Sequence, residues 1–144
     1  MDRSLQISLS EMQAQLFEMS GEQGYDSEKF IKGFMNSDIA KGLDSEFDFM
    51  HWAGKEYILE RMQDEMPEVL VKGVNIFHRE VLYWAGYTYR QWHFLTGETS
   101  REIYKQANAA AMNTNYYGYH TVDVRVAVDW FKEKNNKPGE ELQE

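Results

Sequence analysis

The sequence predicts an all-α fold, namely a single-domain, irregular bundle of six or seven helices around a central aromatic-rich helix at about residues 75–95. Three observations predict it. Apolar side chains recur at helical spacing, and no segment alternates polar and apolar residues between short turns, as strands would. Aromatic residues form 15% of the 144 residues, enough to offset the entropy lost on folding. We expect a helical domain over 1–134 and a polar, disordered tail over 135–144.

Two helices open the predicted bundle. The first spans about residues 4–20, and Gly21 and Gly24 end it because glycine readily adopts the left-handed conformation that follows a helix. The second begins at a cap formed by Asp26 or Ser27.

A short third helix and a long fourth helix follow. Ser37 is the expected cap of the third, with Asp38 favourably placed in its first turn. The fourth spans residues 44–66 and carries Trp52 on its apolar stripe. Pro67 ends it, since proline disfavours helical geometry in the residue before it.

The segment at residues 68–75 is ambiguous. It contains three β-branched residues, which suit strands, so it forms either a helical turn or an extended connection. The central helix comes next.

Two helices are predicted after the central one. Thr99 or Ser100 caps the first of them. Its helical pattern continues through residues 109–112 and is then broken by the asparagines and Gly118. Thr121 caps the last helix.

The central helix is apolar nearly all round. At about 100° per residue, only a narrow strip around Arg79, Gly86 and His93 is left for solvent. A helix of this kind is usually surrounded by its own protein, so we expect its rings to build the core.

Two charged residues interrupt this helix on the side that carries Tyr83 and Tyr87. Glu80 and Arg90 stand ten residues apart, about 15 Å along a helix axis, so they cannot pair directly. Buried charges need partners. The two residues therefore belong to an interior polar network with tyrosine hydroxyls, or to a pocket floor where Arg90 binds a ligand anion or a partner carboxylate, or to a side that faces water.

Residues 115–123 form a second unusual stretch, with three tyrosines and a histidine around Gly118. As a compact aromatic corner it packs the last helix against the central one. On the surface, tyrosines of this density are good protein-binding anchors, since they bury a large area with few rotatable bonds. Both interpretations stay open.

Composition excludes several functions. The formal charge is −9, with 24 acidic and 15 basic residues, so we expect no nucleic-acid partner. There is no cysteine, which excludes disulfides, zinc thiolates and thiol nucleophiles. The first residues lack the pattern of a secretion signal, and no run reaches the roughly 20 apolar residues of a membrane span. We expect a cytoplasmic protein without membrane contact.

Recognised catalytic and metal-binding motifs are also missing. No two histidines stand four positions apart with a glutamate between them, as in a helical zinc-binding motif. The sequence also contains no glycine-rich phosphate loop and no nucleophile elbow. We therefore expect no metal and no cofactor, and we favour a role without catalysis. The four histidines are His51, His78, His93 and His120.

Two stretches resemble a family of small, helical, uncharacterised bacterial proteins. These are "YWAGYTYRQWHFLTGETSREIYKQ" at 83–106 and "YYGYHTVDVRVAVD" at 116–129. "FMNSDIAKGLDSEFDFMHWAGKEY" at 34–57 is similar to that family's N-terminal half, so the resemblance covers most of residues 25–130. It implies a gene neighbourhood with small toxin–antitoxin-like genes, including ones similar to ADP-ribosyltransferase toxins. It implies no particular chemistry.

The expected function is that of a non-enzymatic, acidic interaction protein that binds a protein partner, as a component of a bacterial toxin–antitoxin-like or defence cassette. The alternative is a small-molecule or nucleotide-binding module, or an enzyme, with a pocket lined by Arg90 and tyrosines. Homo-oligomerisation is left open. The candidate binding residues are Glu80, Tyr83, Tyr87, Arg90, Tyr116, Tyr117, Tyr119 and His120.

Overall fold

A computed structural model describes residues 1–46 and 49–136, and in these ranges the chain forms eight α-helices, two short 3-10 helices and no strand. The all-α prediction is confirmed. The last helix includes residue 135, and residues 137–144 of the predicted tail lie outside the described ranges. The α-helices are α1 Arg3–Glu22, α2 Ser27–Met35, α3 Asp38–Asp44, α4 Lys55–Glu65, α5 Arg79–Thr96, α6 Ser100–Gln106, α7 Ala109–Tyr119 and α8 Val124–Asn135.

Helix α5 is the central element, as predicted, and contacts α1, α6, α7 and α8. Its buried residues include Val81, Leu82, Ala85, Tyr89 and Trp92. The helix begins later than expected, at Arg79, because the residues before it are extended and are hydrogen-bonded to the start of α2. The amide of Phe77, for example, donates to the hydroxyl of Ser27 at 2.9 Å.

The strip of α5 that was expected to face solvent is the contact surface with α1. Gly86 is buried there. A Cβ atom at this position would lie 2.6 Å from the carbonyl oxygen of Gln13 and 2.8 Å from the Cα of Ala14. The side chain of Gln13 also donates to the carbonyl oxygen of Gly86 at 3.0 Å. Glycine thus lets the two helix backbones touch, which a pattern of apolar side chains does not indicate.

The predicted long helix over residues 44–66 is wrong. Helix α3 ends at Asp44, a 3-10 helix occupies Phe49–Trp52, and α4 starts after Gly54. Gly54 has the extended conformation of a helix N-cap, so it breaks the helix where the periodicity alone continues. Trp52 does not join an apolar stripe, since 83% of it is exposed.

The segment after Pro67 is an extended connection preceded by a 3-10 turn at Pro67–Val69. Its backbone pairs with the α1–α2 turn, where the amide of Asp26 donates to the carbonyl oxygen of Val71 at 2.7 Å. An isolated β-bridge joins Tyr25 and Lys72. This resolves the ambiguity of residues 68–75, and Pro67 ends α4 as predicted.

Two expectations for the last helices are wrong. Helix α7 is not interrupted after residue 112 but runs to Tyr119, because the side chain of Asn115 bonds to Ala111 one turn back, at 2.8 Å, and leaves the helix intact. Gly118 is part of this helix. The cap of α8 is Asp123, whose carboxylate accepts from the amide of Arg125 at 2.9 Å, so Thr121 is not the cap.

Candidate functional site

A surface cavity of about 640 Å³ opens between α1, the first half of α5 and the end of α7. We call it the aromatic groove. Four of its residues lie on one α5 face, at positions 80, 83, 84 and 87. Two more are Tyr116 of α7 and His120, the residue that caps the end of α7. The groove is lined by Glu18, Arg79, Glu80, Tyr83, Trp84, Tyr87, Tyr116 and His120.

The α7 wall of the groove is held by ring contacts. The rings of Tyr116 and His120 stack with centroids 4.2 Å apart and planes 12° apart, and the His120 Nδ1 atom lies 2.7 Å from the Tyr116 carbonyl oxygen. The ring of Trp84 meets Tyr116 edge-on at 5.7 Å and is backed by Phe131 at 6.5 Å. The wall is therefore built before any ligand arrives, which reduces the entropy lost on binding.

The rim of the groove carries a single ion pair that is open to solvent. The Nε atom of Arg79 donates to Glu18 at 2.6 Å, while 78% of the arginine side chain is exposed. The hydrogen bond to Glu18 raises the pKa of Arg79, and the nearby charges of Glu22 and Glu80 act in the same direction. Arg79 is thus a permanent cation that is already neutralised by its neighbours.

The remainder of the rim is acidic. Burial raises the pKa of Tyr83, and the negative charge of Glu11 adds to this effect, which places a further carboxylate near the groove. Glu80 makes no hydrogen bond and no ion pair with any residue that the structure describes. Three carboxylates, those of Glu18, Glu22 and Glu80, act on the single guanidinium of Arg79, and Glu11 acts on Tyr83, so the charge around the groove is negative on balance.

The groove contains five of the eight residues that the sequence singles out. Three lie elsewhere. Tyr117 is 78% exposed but outside the cavity. Tyr119 turns inward, where its ring packs against Trp130 at 5.0 Å and Phe131 at 4.8 Å. Arg90 is buried in the core. The binding role of the five groove residues stays a prediction, and they are Glu80, Tyr83, Tyr87, Tyr116 and His120.

Arg90 does not form a pocket floor. It is 1% exposed and donates to Asp44 at 2.6 Å, to Gln13 at 2.9 Å and to Ser100 at 3.1 Å. Burial lowers the pKa of Arg90, and the adjacent Asp44 carboxylate opposes that effect. This is an interior polar network, but its partners come from α1, α3 and α6 rather than from tyrosine hydroxyls, and Glu80 takes no part in it.

A serine, an aspartate and a histidine meet in this network without forming a catalytic triad. The hydroxyl of Ser100 donates to Asp44 at 2.8 Å. The ring of His93 contacts the carbonyl oxygen of Glu98 at 2.6 Å, and lies 3.7 Å from Asp44. The serine is therefore held by a carboxylate and a guanidinium, not by an imidazole base, so it is not activated as a nucleophile.

A second cavity of about 350 Å³ adjoins the aromatic groove, since Tyr87 lines both. Its charged lining is mainly basic, whereas that of the aromatic groove is mainly acidic, and it consists of Arg3, Arg125 and Asp123. The surface available to a ligand therefore extends beyond the aromatic groove along α5.

Sequence patterns miss three groove residues. Trp84 and Arg79 lie on the same α5 face as the tyrosines, and the spacing of residues 80, 83, 84 and 87 is a signal that could have found Trp84. Glu18 comes from α1, so only the packing of α1 on α5 brings it to the groove. The pairing of Tyr116 with His120 requires α7 to continue past residue 112.

In the part of the chain that the structure describes, no three histidine, aspartate or glutamate side chains lie close enough to hold a metal ion. In the same part, every helix is too short or too polar to cross a bilayer. No protein-family model, curated protein or solved structure matches the chain. Because these comparisons indicate no function, a function is inferred from the residues that line the aromatic groove.

Proposed function

We propose that the protein is a non-enzymatic interaction protein that binds a protein partner through the aromatic groove. The observation that carries this proposal is the accumulation of large rings at a solvent-open cavity, where Tyr83 remains 37% exposed. Tyrosine and tryptophan are enriched at the energetic centres of protein interfaces, because they bury a large area and lose little rotational freedom.

The shape of the groove supports a protein partner. Its α7 wall is held by the Tyr116–His120 stack, and its floor by the Trp84 ring, so both sides are preorganised. The lining combines aromatic rings with charged side chains, a combination that is also found in protein–protein interfaces.

The sequence resemblance supports a more specific version of the proposal. The partner is then encoded beside this protein, in a bacterial toxin–antitoxin-like or defence cassette, and the protein acts by covering part of that partner. The acidic net charge of −9 suits a partner with a basic surface.

The experiment that tests this proposal is co-expression with each flanking gene product. We expect one of them to co-purify with the protein, or to lose toxicity in its presence. Replacing Tyr83 and Tyr87 together by alanine should abolish that effect. A matched control is Tyr57→Ala, which removes a tyrosine that is 45% exposed on α4, outside the groove.

The proposal is wrong if the double alanine variant is folded, as shown by circular dichroism, and still binds its partner as the parent chain does. It is equally wrong if no flanking product co-purifies or changes its toxicity.

A second candidate function is the binding of a small molecule or nucleotide. Ligand sites typically enclose about 300–1,000 Å³, and the groove falls in this range at about 640 Å³. Arg90 is no longer available as the anion-binding residue, and Arg79 would have to replace it. Thermal denaturation in the presence of a series of nucleotides tests this candidate. A nucleotide that raises the unfolding temperature of the parent chain but not of Arg79→Gln would favour it over a protein partner.

A further inference from the structure

We infer that the aromatic groove recognises a cationic side chain, a lysine or an arginine, in a basic segment of its partner. This inference rests on the proposed function, since it names the chemistry of the partner that the same groove binds. Three structural features lead to it, namely two rings that no other ring covers, the charge balance around the groove and the volume of the cavity.

The ring faces provide the first feature. Tyr83 and Tyr87 line the cavity and make no ring–ring contact with any residue in 1–46 or 49–136, so their faces are not occupied by other rings. An aromatic face carries partial negative charge and attracts cations that lie within about 6 Å of its centre. Trp84, the best ring type for this interaction, lies between the two tyrosines along α5.

The charge balance of the rim provides the second feature. Glu80 lines the cavity and acts on Arg79 through its charge, but among the described residues it makes no hydrogen bond and no ion-pair contact, so its carboxylate oxygens can contact a cation. Glu11 and Glu22 add negative potential from α1. The single guanidinium, that of Arg79, already donates to Glu18 at 2.6 Å.

The same balance disfavours an anion. A phosphate or carboxylate ligand would have to displace Glu18 from Arg79 and would then face Glu80. Like charges brought together at an interface cost binding free energy, so the groove discriminates by sign of charge as well as by shape.

The extent of the cavity favours a chain segment over a free amine. At about 640 Å³ the aromatic groove is larger than one lysine or arginine side chain fills, and beyond Tyr87 it continues into the second cavity. A peptide places one cationic side chain on the rings and runs its backbone along α5, and its uncharged residues then reach the second cavity, where Arg3 and Arg125 lie.

The test uses isothermal titration calorimetry with capped ten-residue peptides of glycine and serine that carry three lysines, three glutamines or three glutamates. We expect the lysine peptide to bind at least about tenfold more tightly than the glutamine peptide, and to weaken as salt is added. The glutamate peptide should not bind. Equal affinity for the lysine and glutamine peptides overturns the inference. So does equally tight binding of n-butylammonium, which would make the ligand a free small cation.

Variants locate the binding. Glu80→Gln should weaken the lysine peptide about threefold to fivefold, whereas Glu60→Gln, with the same change of charge on α4, should leave it unchanged. Tyr83→Leu should weaken binding by a similar factor and Tyr83→Phe should not, because phenylalanine keeps the ring face. Equal effects of Glu80→Gln and Glu60→Gln would show non-specific attraction by net charge and overturn the inference. Unfolding temperatures of all four variants identify any loss of fold.

The two proposals fail separately. If the double alanine variant loses its partner but the peptides show no preference for lysine, the cation is wrong and the interaction role stands. If the groove selects lysine but the double alanine variant keeps its partner, the cation specificity stands and the proposed function is wrong.

Discussion

The guanidinium of Arg90 donates to the carboxylate of Asp44 at 2.6 Å, and both side chains are almost completely buried, with 1% and 8% of their surfaces exposed. Further hydrogen bonds from Arg90 reach Gln13 and Ser100. One buried side chain of α5 thereby connects α1, α3 and α6. The network positions α1, α3 and α6 around the second half of α5, while one face of the first half lines the groove.

Replacing Asp44 by alanine should destabilise the protein by about 3–5 kcal/mol, since it leaves the Arg90 charge buried without its counter-ion. Urea unfolding followed by circular dichroism measures this loss. Asp64→Ala, at an exposed position of α4, is the matched control and should change stability by less than about 0.5 kcal/mol. Equal effects at the two positions would contradict the structural role of the network.

Two of the helix glycines, Gly86 and Gly118, should respond to alanine in opposite directions. Gly86→Ala places a methyl group against the backbone of Gln13 and Ala14, which cannot move aside, so stability should fall by about 2–3 kcal/mol. Gly118→Ala meets no atom within 4 Å and should stabilise α7 by about 0.5–1 kcal/mol. Thermal unfolding of both variants compares them. A stable Gly86→Ala protein would show that α1 and α5 do not touch in this way.

The hydroxyl of Thr88 is the one buried side-chain oxygen or nitrogen in the described residues that lacks a hydrogen-bond partner. Thr88→Val keeps the shape and removes the unsatisfied group, so stability should stay equal or rise by up to about 1 kcal/mol. Thr88→Ser keeps the hydroxyl, removes a methyl group and should cost about 1 kcal/mol. Chemical denaturation of the pair distinguishes them. A large loss in Thr88→Val would mean that the hydroxyl has a partner.

The titration of the Glu98 carboxyl group should make the stability of the protein depend on pH. Burial raises its pKa, but hydrogen bonds from Lys132, Trp92 and Gln106 outweigh that effect and lower the pKa from 4.5 to about 2. A carboxyl group whose pKa is lower in the folded state stabilises the fold at a pH above its pKa in the unfolded state. This contribution is lost as the pH falls through the pKa of the folded state.

The parent chain should therefore exceed Glu98→Gln in stability, by on the order of 1 kcal/mol after allowance for the partial exposure of Glu98, at pH 7. The difference should vanish between about pH 4.5 and pH 2. Urea unfolding of both chains at a series of pH values measures it. A difference that stays constant with pH would exclude Glu98 as the titrating group.

Local chemistry explains which parts of the fold the sequence predicts. The expected caps at Ser37, Asp26 and Thr99 are present, because a capping hydrogen bond joins residues only three positions apart. The central helix is also predicted, since its apolar periodicity is strong over many turns. Helix ends that depend on a single residue, such as Gly54, are not, because the flanking apolar residues keep a helical spacing across the break.

Contacts between distant segments explain the rest. Glu80 and Arg90 share one side of a helical wheel, yet one is exposed and the other buried, since α3 and α6 cover only the second half of that side. Asp44 lies 46 residues from Arg90, and no spacing rule joins them. The groove is predictable from α5 to the extent that its tyrosines repeat at helical intervals. Its other walls, from α1 and α7, follow only from packing.

The close contact between the backbones of α1 and α5 also affects how the chain folds during translation. Gln13 bonds to a residue that follows it by 73 positions, so the amino-terminal helix leaves the ribosome long before its counterpart exists. Contacts of such sequence separation slow folding and leave apolar surface uncovered in the meantime. Phe17, which is fully buried in the folded protein, packs on Phe30 and Phe34 of α2, but its contact with Tyr89 forms only after α5 has been translated.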